Sequence, residues 1–198
     1  MGEPALKIAT YDDVLSAPEG VTAEILNGEL HLSPRPASQH HMAEGKIFGR
    51  LDDSFAHRGG GSGPGGWWIQ IEPELHLGRP EPRTVVAAPD LAGWRRERMP
   101  IFPKVAAFTL PPDWVCEILS PGPAAVRRDR IVKPAVYATA GIPFHWIVDP
   151  VARTLEVYEL RGTVYALIQA FADEVVVRAQ PFEAVELDMS QWWLPEAP

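Results

Sequence analysis

The hexapeptide Trp114-Val-Cys-Glu-Ile-Leu119 constrains this chain more than any other stretch. It is an apolar run of strand length with one charge, Glu117, in its middle. A carboxylate left unpaired in an apolar interior costs several kcal/mol or is forced to take up a proton. The rest of the fold must therefore bring this strand a cation, a metal or a hydrogen-bond donor. The strand stops at Ser120-Pro-Gly-Pro123, and a helix is predicted over 124–140 with Asp129 and Lys133 four residues apart on one face. Pro134 lies inside that helix, where it removes one hydrogen bond and predicts a kink or a late restart. Phe144-His-Trp-Ile-Val148 follows as a second buried strand, so the unit reads as a right-handed parallel crossover.

The segments before this unit alternate between hairpins and one long helix. Residues 1–20 carry Tyr11-Asp12-Asp13 ahead of an apolar pair, the pattern of a short capped helix. Residues 22–32 read as a hairpin turning on Asn27-Gly28, because both positions of a type I′ turn need positive φ. Glu24 and Glu29 alternate with apolar neighbours, so composition alone makes them solvent-facing. A helix is predicted over 38–57, with Ser38 as N-cap and Ile47, Phe48, Leu51 and Phe55 as its apolar stripe. Glu44 shares the stripe's side, with His40 and His41 one turn above it; this cluster is either part of a site or capping and surface chemistry. The glycine run 59–66 lacks the Gly-Lys-Ser/Thr ending of a phosphate loop and reads as a flexible connection.

Strands are predicted over 68–77, with Pro73 at an edge or bulge, and over 84–88. The second ends in Pro89-Asp90, which makes Asp90 the natural companion of Glu117, and residues 92–112 read as a proline-studded loop. Beyond 150, antiparallel strands are expected over 154–160, 164–171 and 175–178, with a last strand and short helix over 183–193. The fold class is α/β, a mixed sheet with helices on both faces and extra antiparallel hairpins.

Length and hydrophobic content, 198 residues and 46%, suit one domain over 1–198, with 1–20 as an N-terminal extension or short helix. No stretch approaches the ~18 apolar residues of a membrane span, and the start lacks a basic segment followed by an apolar one. The lone Cys116 excludes an internal disulfide and reads as a core thiol, so a cytoplasmic setting is expected. A net charge of −8 opposes tight non-specific nucleic-acid binding, which rests on neutralising phosphates. Eight of the eighteen basic residues nevertheless fall in two windows, Arg95, Arg96, Arg98 and Lys104, then Arg127, Arg128, Arg130 and Lys133. They form either an anion-facing patch or ordinary surface pairs.

Several of these pieces together resemble a known family: Glu24-Ile-Leu-Asn-Gly-Glu-Leu30, a histidine heading the first long helix, Pro89-Asp90, Glu117-Ile-Leu-Ser-Pro121, Lys133 with Tyr137 and Gly141, Trp146-Ile-Val-Asp-Pro150 and Leu187-Asp-Met-Ser-Gln-Trp192. The chain is similar over residues 10–194 to the Uma-two family, restriction-type endonucleases of the PD-(D/E)XK superfamily. The resemblance implies a restriction-endonuclease-like three-layer fold and Mg²⁺-dependent (or Mn²⁺-dependent) hydrolysis of phosphodiesters in nucleic acid, DNA above all. It implies Asp90, Glu117 and the Ile118 carbonyl as metal ligands, with Lys133 orienting water or countering the developing charge. His41 (or His40) and Glu24 match family positions near the site. The superfamily lysine stands two residues after the second carboxylate, where this chain has Leu119, and the family draws its lysine from the following helix. A homodimer is expected, since a two-fold pair supplies one site per strand. Two other readings stand beside this one. The fold is kept as a binding or interaction module with weakened catalysis, or Glu117 is simply paired with Arg127 or Arg130.

Overall fold

The computed structural model describes residues 8–56, 63–78 and 85–195. Residues 59–62 of the glycine run, turn residues 79–82, His57 and Thr84 lie outside these residues. A short helix α1 (Tyr11–Leu15) opens the described chain, and Asp13 accepts from both the main chain and the hydroxyl of Thr10, closing a capping box. The hairpin is β1 (Val21–Leu26) and β2 (Glu29–Pro34), with Leu26 opposite Glu29. Asn27 and Gly28 take φ of 54° and 82°, as a two-residue type I′ turn requires.

Helix α2 (Ser38–Leu51) buries His40, Ala43, Glu44, Ile47 and Leu51, one stripe at helical spacing, and ends in a π-turn over Asp52–Ala56. Its N-cap is Ala37 rather than Ser38. The predicted strand 68–77 is in fact two strands in different sheets, β3 (Trp67–Ile71) and β4 (Glu74–Leu77). Pro73 cannot donate to a ladder, and the chain leaves one sheet for the other at Glu72, whose φ is 43°. Strand β5 (Val85–Ala87) follows, and the expected loop over 92–112 begins instead as β6 (Leu91–Arg95). The arginines of this segment hid a buried run, Leu91-Ala-Gly-Trp94. At Gly93 a Cβ would meet Ile69, Trp114 and Trp67 at 3.2 Å, so only glycine lets β6 lie between its neighbours unstrained.

After β7 (Ala107–Phe108) comes β8 (Trp114–Ile118), buried at every position. The crossover runs through α3 (Pro123–Arg127), a π-turn over Arg128–Val132 and α4 (Lys133–Thr139) to β9 (Phe144–Asp149), which pairs parallel with β8. The π-turn is how the helix accommodates Pro134: its hydrogen-bond ladder widens before the proline and restarts at Lys133. Strands β10 (Thr154–Arg161), β11 (Val164–Ala172), β12 (Val176–Val177) and β13 (Leu187–Asp188) follow, with a 3₁₀ turn at Met189–Gln191.

Two main sheets result. A six-stranded mixed sheet has the order β11-β10-β9-β8-β6-β3, and a five-stranded one the order β2-β1-β5-β4-β7. Side chains alternate across β8. Trp114, Cys116 and Ile118 join Ala43, Ile47 and Leu51 of α2 in one core, where Phe182 meets the rings of Trp67, Trp114 and Trp146 at 4.8, 4.9 and 5.6 Å. Val115 joins Leu26, Leu75 and Ala87 of the second sheet and Val136 and Tyr137 of α4 in the other. Glu117 points the same way as Val115. The central sheet is thus covered on both faces, which is why β8 reads as a continuous apolar run. Among the described residues, no helix is long and apolar enough to cross a membrane.

Candidate active site

Glu117, 1% exposed, lies between α4 and the second sheet. Its Oε2 receives the Lys133 ammonium at 2.8 Å and its Oε1 accepts from the Tyr137 hydroxyl at 2.5 Å. Lys133 and Tyr137 are four residues apart on α4, so one helical face delivers both donors. The partner is therefore a lysine and a tyrosine, not Arg127 or Arg130; Arg130 pairs with Glu156 at 2.8 Å.

Lys133 Nζ also lies 3.1 Å from Glu24, 3.2 Å from the Ala88 carbonyl and 3.8 Å from Asp129. Glu24 is buried, not solvent-facing. Both faces of β1 are covered from Glu24 to Leu26, and the Glu24 carboxylate accepts from the Ala88 N–H at 2.9 Å while facing Lys133 and Arg128. Glu29, at the hairpin tip, is exposed. Burial works to lower the Lys133 pKa, but Glu117, Glu24 and Asp129 outweigh it and hold the ammonium charged. Burial pushes the Glu117 carboxyl up, while Lys133 opposes that. Burial and the Glu117 charge both raise the Tyr137 hydroxyl, which stays a proton donor.

Asp90 sits where the chain passes from β5 in one sheet to β6 in the other, one residue beyond the Leu91–Cys116 pair. Its Oδ2 accepts from the Ile118 N–H at 2.5 Å, and Oδ1 meets His40 Nε2 at 3.1 Å. The Glu72 N–H donates to the Asp90 carbonyl at 2.8 Å and fixes the backbone there. Of the two histidines heading α2, His40 is the one that reaches Asp90. The His41 side chain is 53% exposed and meets Glu44 Oε2 at 3.3 Å. Burial alone would lower the His40 pKa, but Asp90, Glu44 and Asp129 raise it overall. Glu44 is raised by burial and by Asp90.

Glu24, His40, Asp90, Glu117, Ile118 and Lys133 line one cavity of about 840 Å³, with the Ser120–Pro123 turn at its rim. Carboxylates among its described lining residues outnumber lysines and arginines seven to three, so a polyanion meets net negative charge there unless a cation intervenes. The basic windows do little to change this. Arg95 and Arg96 stack on Trp67 and Trp68, Arg98 pairs with Asp113, and Arg128 bridges Asp129 and Glu24. Leu119, at the usual lysine position, is buried apolar core.

A divalent cation fits beside Asp90 and His40, at the wall of this cavity. One ligand atom each from Asp90, His40 and Glu44 lies within 4.8 Å of the other two, and Glu44 Oε1 is buried with no hydrogen-bond partner among the described residues. Sequence reasoning weighed Glu44 but could not choose between site and surface. It named Tyr137 only within the family pattern, and the i, i+4 spacing from Lys133 was the signal that places it on Glu117.

Beneath the lysine, His145 of β9 is fully buried among the rings of Tyr137, Tyr158 and Tyr165, and its pKa is lowered to about 3 by burial and then by Lys133. Its folded value lies below its unfolded one, so the unfolded chain binds a proton that the folded chain refuses. Stability is full above the unfolded value and falls as pH drops toward about 3. Urea unfolding at pH 7 and pH 5 should show wild type losing about 2 kcal/mol more than His145→Phe over that interval.

A mixed sheet flanked by helices, with a parallel strand pair at its centre, is the restriction-endonuclease-like class of fold. The crystal structure of a "putative nuclease belonging to DUF820" from Anabaena variabilis ATCC 29413 shares it, at TM-score 0.69 and 19% identity over 93% of this chain and 97% of that one. The chain belongs to the Uma2 family, described as "Putative restriction endonuclease", whose model matches residues 8–190. No curated protein sequence matches it.

Proposed function

We propose that the protein is a divalent-metal-dependent endonuclease that hydrolyses phosphodiester bonds in DNA. The carrying observation is that Lys133, supplied by α4 instead of the strand position filled by Leu119, meets Glu117 at 2.8 Å in the same cavity wall as Asp90. Bound at Asp90, Mg²⁺ or Mn²⁺ would polarise a phosphoryl oxygen and lower the pKa of a water. Asp90 is held for this by the Ile118 N–H, which fixes one oxygen and leaves the other toward His40. Glu117 and Glu24 hold Lys133 from two sheets, so its charge is fixed before substrate arrives and can offset charge developing on the phosphate. Tyr137 keeps Glu117 from turning away. The sequence-level ligand set gave Glu117 and the Ile118 carbonyl to the metal. With both Glu117 oxygens engaged, its first task in this reading is to aim the lysine. Cutting of both strands by a two-fold homodimer belongs to the same proposal.

Supercoiled plasmid tests it. Nicked product should form with Mg²⁺ or Mn²⁺ and none with chelator, and linear product at early times would report paired action. A folded protein that leaves plasmid and single-stranded DNA intact in both metals would return the fold to a binding role.

A further inference from the structure

We propose that His40, Glu44 and Asp90 form the metal site itself, and that it takes a first-row transition dication in preference to Mg²⁺. One ligand atom from each residue lies within 4.8 Å of the other two. Each side chain is also held from behind by a different neighbour. Ser120 Oγ meets His40 Nδ1 at 3.3 Å, leaving Nε2 to face Asp90. His41 Nδ1 meets Glu44 Oε2 at 3.3 Å, leaving Oε1 buried and unpartnered. The Ile118 N–H holds Asp90 Oδ2, leaving Oδ1 toward the histidine. Outer partners of this kind fix ring tautomer and carboxylate orientation in metal sites. His40 and Glu44 are one helical turn apart on the buried stripe of α2, so their spacing is set before any cation arrives.

A hydrogen-bonded core cluster would have no need of the remaining Glu44 oxygen, whose burial without a partner is destabilising. A cation accepting Oε1, Oδ1 and the imidazole removes that cost and replaces the His40–Asp90 hydrogen bond. The donor set decides the metal class. Mg²⁺ takes oxygen ligands and keeps its waters, whereas an imidazole beside two carboxylates suits the transition series. Asp90 then serves the cation, while Glu117 serves Lys133. The use of this site in hydrolysis rests on the nuclease reading; cation binding at it does not.

The probe is Mn²⁺ titrated calorimetrically into the chelator-stripped full chain. One Mn²⁺ per chain is expected, held about tenfold or more tightly than Mg²⁺, with His40→Gln and Glu44→Gln each weakening it about tenfold or more. Electron spin-echo modulation on Mn²⁺-loaded wild type should show coupling to a directly bound imidazole nitrogen, a readout that needs no variant to fold. Equal affinity for Mn²⁺ and Mg²⁺, a Glu44→Gln chain that binds Mn²⁺ as wild type does, or absent nitrogen coupling overturns the assignment. Mn²⁺ binding with nitrogen coupling but no plasmid cleavage upholds the site and sinks the nuclease reading instead.

Discussion

Lys133→Met is expected to destabilise the protein by about 3–5 kcal/mol, the range for removing one partner of a buried charge pair. Methionine fills much of the same volume, so the loss comes from charge rather than from a cavity. Glu117 and Glu24 each contact the ammonium, at 2.8 and 3.1 Å, and both are almost fully buried. Without it, two carboxylates face each other with Asp129 close by. Glu117 keeps only the neutral Tyr137 hydroxyl, while Glu24 keeps the Ala88 N–H and, at 3.7 Å, Arg128, which Asp129 also holds. The pH response of the variant distinguishes this from ordinary packing damage. The Glu117 carboxyl is already raised by burial, and the variant removes the ammonium that opposes the rise. A carboxylate whose folded pKa exceeds its unfolded one contributes stability below the unfolded value and loses it as pH climbs. Lys133→Met should therefore recover part of its deficit relative to wild type as pH falls from 7 toward 4.5, on top of the loss through buried His145 that both proteins share. Urea titrations of both proteins across that interval measure the narrowing gap. Parallel curves would mean that Lys133 is not the counter-ion of this carboxylate cluster. Lys133→Arg is not a rescue, because a planar five-donor guanidinium does not occupy the space of a compact ammonium enclosed on all sides.

The same cluster shows where sequence stops being informative. A lone charge in an apolar strand announced that Glu117 needed a partner, and the Asp129–Lys133 spacing placed a cation on the next helix. The crossover, the Asn27-Gly28 hairpin and the apolar stripe of α2 were legible for similar reasons, because each is written in local period or turn chemistry. What was not legible is which sheet a strand joins. Residues 68–77 look like one interrupted strand, yet β3 and β4 end in different sheets, and period alone does not distinguish a bulge from a change of layer. Glu24 looked solvent-facing because alternation assumes one wet face. Its strand is buried at that end on both faces, by elements more than sixty residues away. His40 and His41 are adjacent in sequence, so a helix turns them about 100° apart, and only tertiary packing says which meets Asp90.

Asp90→Asn is expected to lower the plasmid-cleavage rate by about 10³-fold while leaving the fold nearly as stable as wild type. The substitution is chosen because asparagine keeps a carbonyl oxygen of the same reach. It can still accept from the Ile118 N–H, the bond that ties the β5–β6 passage to the end of β8. Its amide can donate toward His40 or turn to Glu44, so the interior retains its hydrogen bonds. What disappears is the negative charge and one cation-binding oxygen. If Asp90 mainly braced the two sheets, asparagine would cost little in either stability or rate. If it holds the cation, Mn²⁺ affinity and rate fall together, and raising the Mn²⁺ concentration restores part of the rate without restoring affinity. Initial rates across a Mn²⁺ series, set beside urea midpoints for both proteins, separate these outcomes. A variant that cleaves like wild type would remove Asp90 from the reacting centre. Lys133 and Glu117 would then remain as a structural ion pair beneath a cavity serving some other purpose.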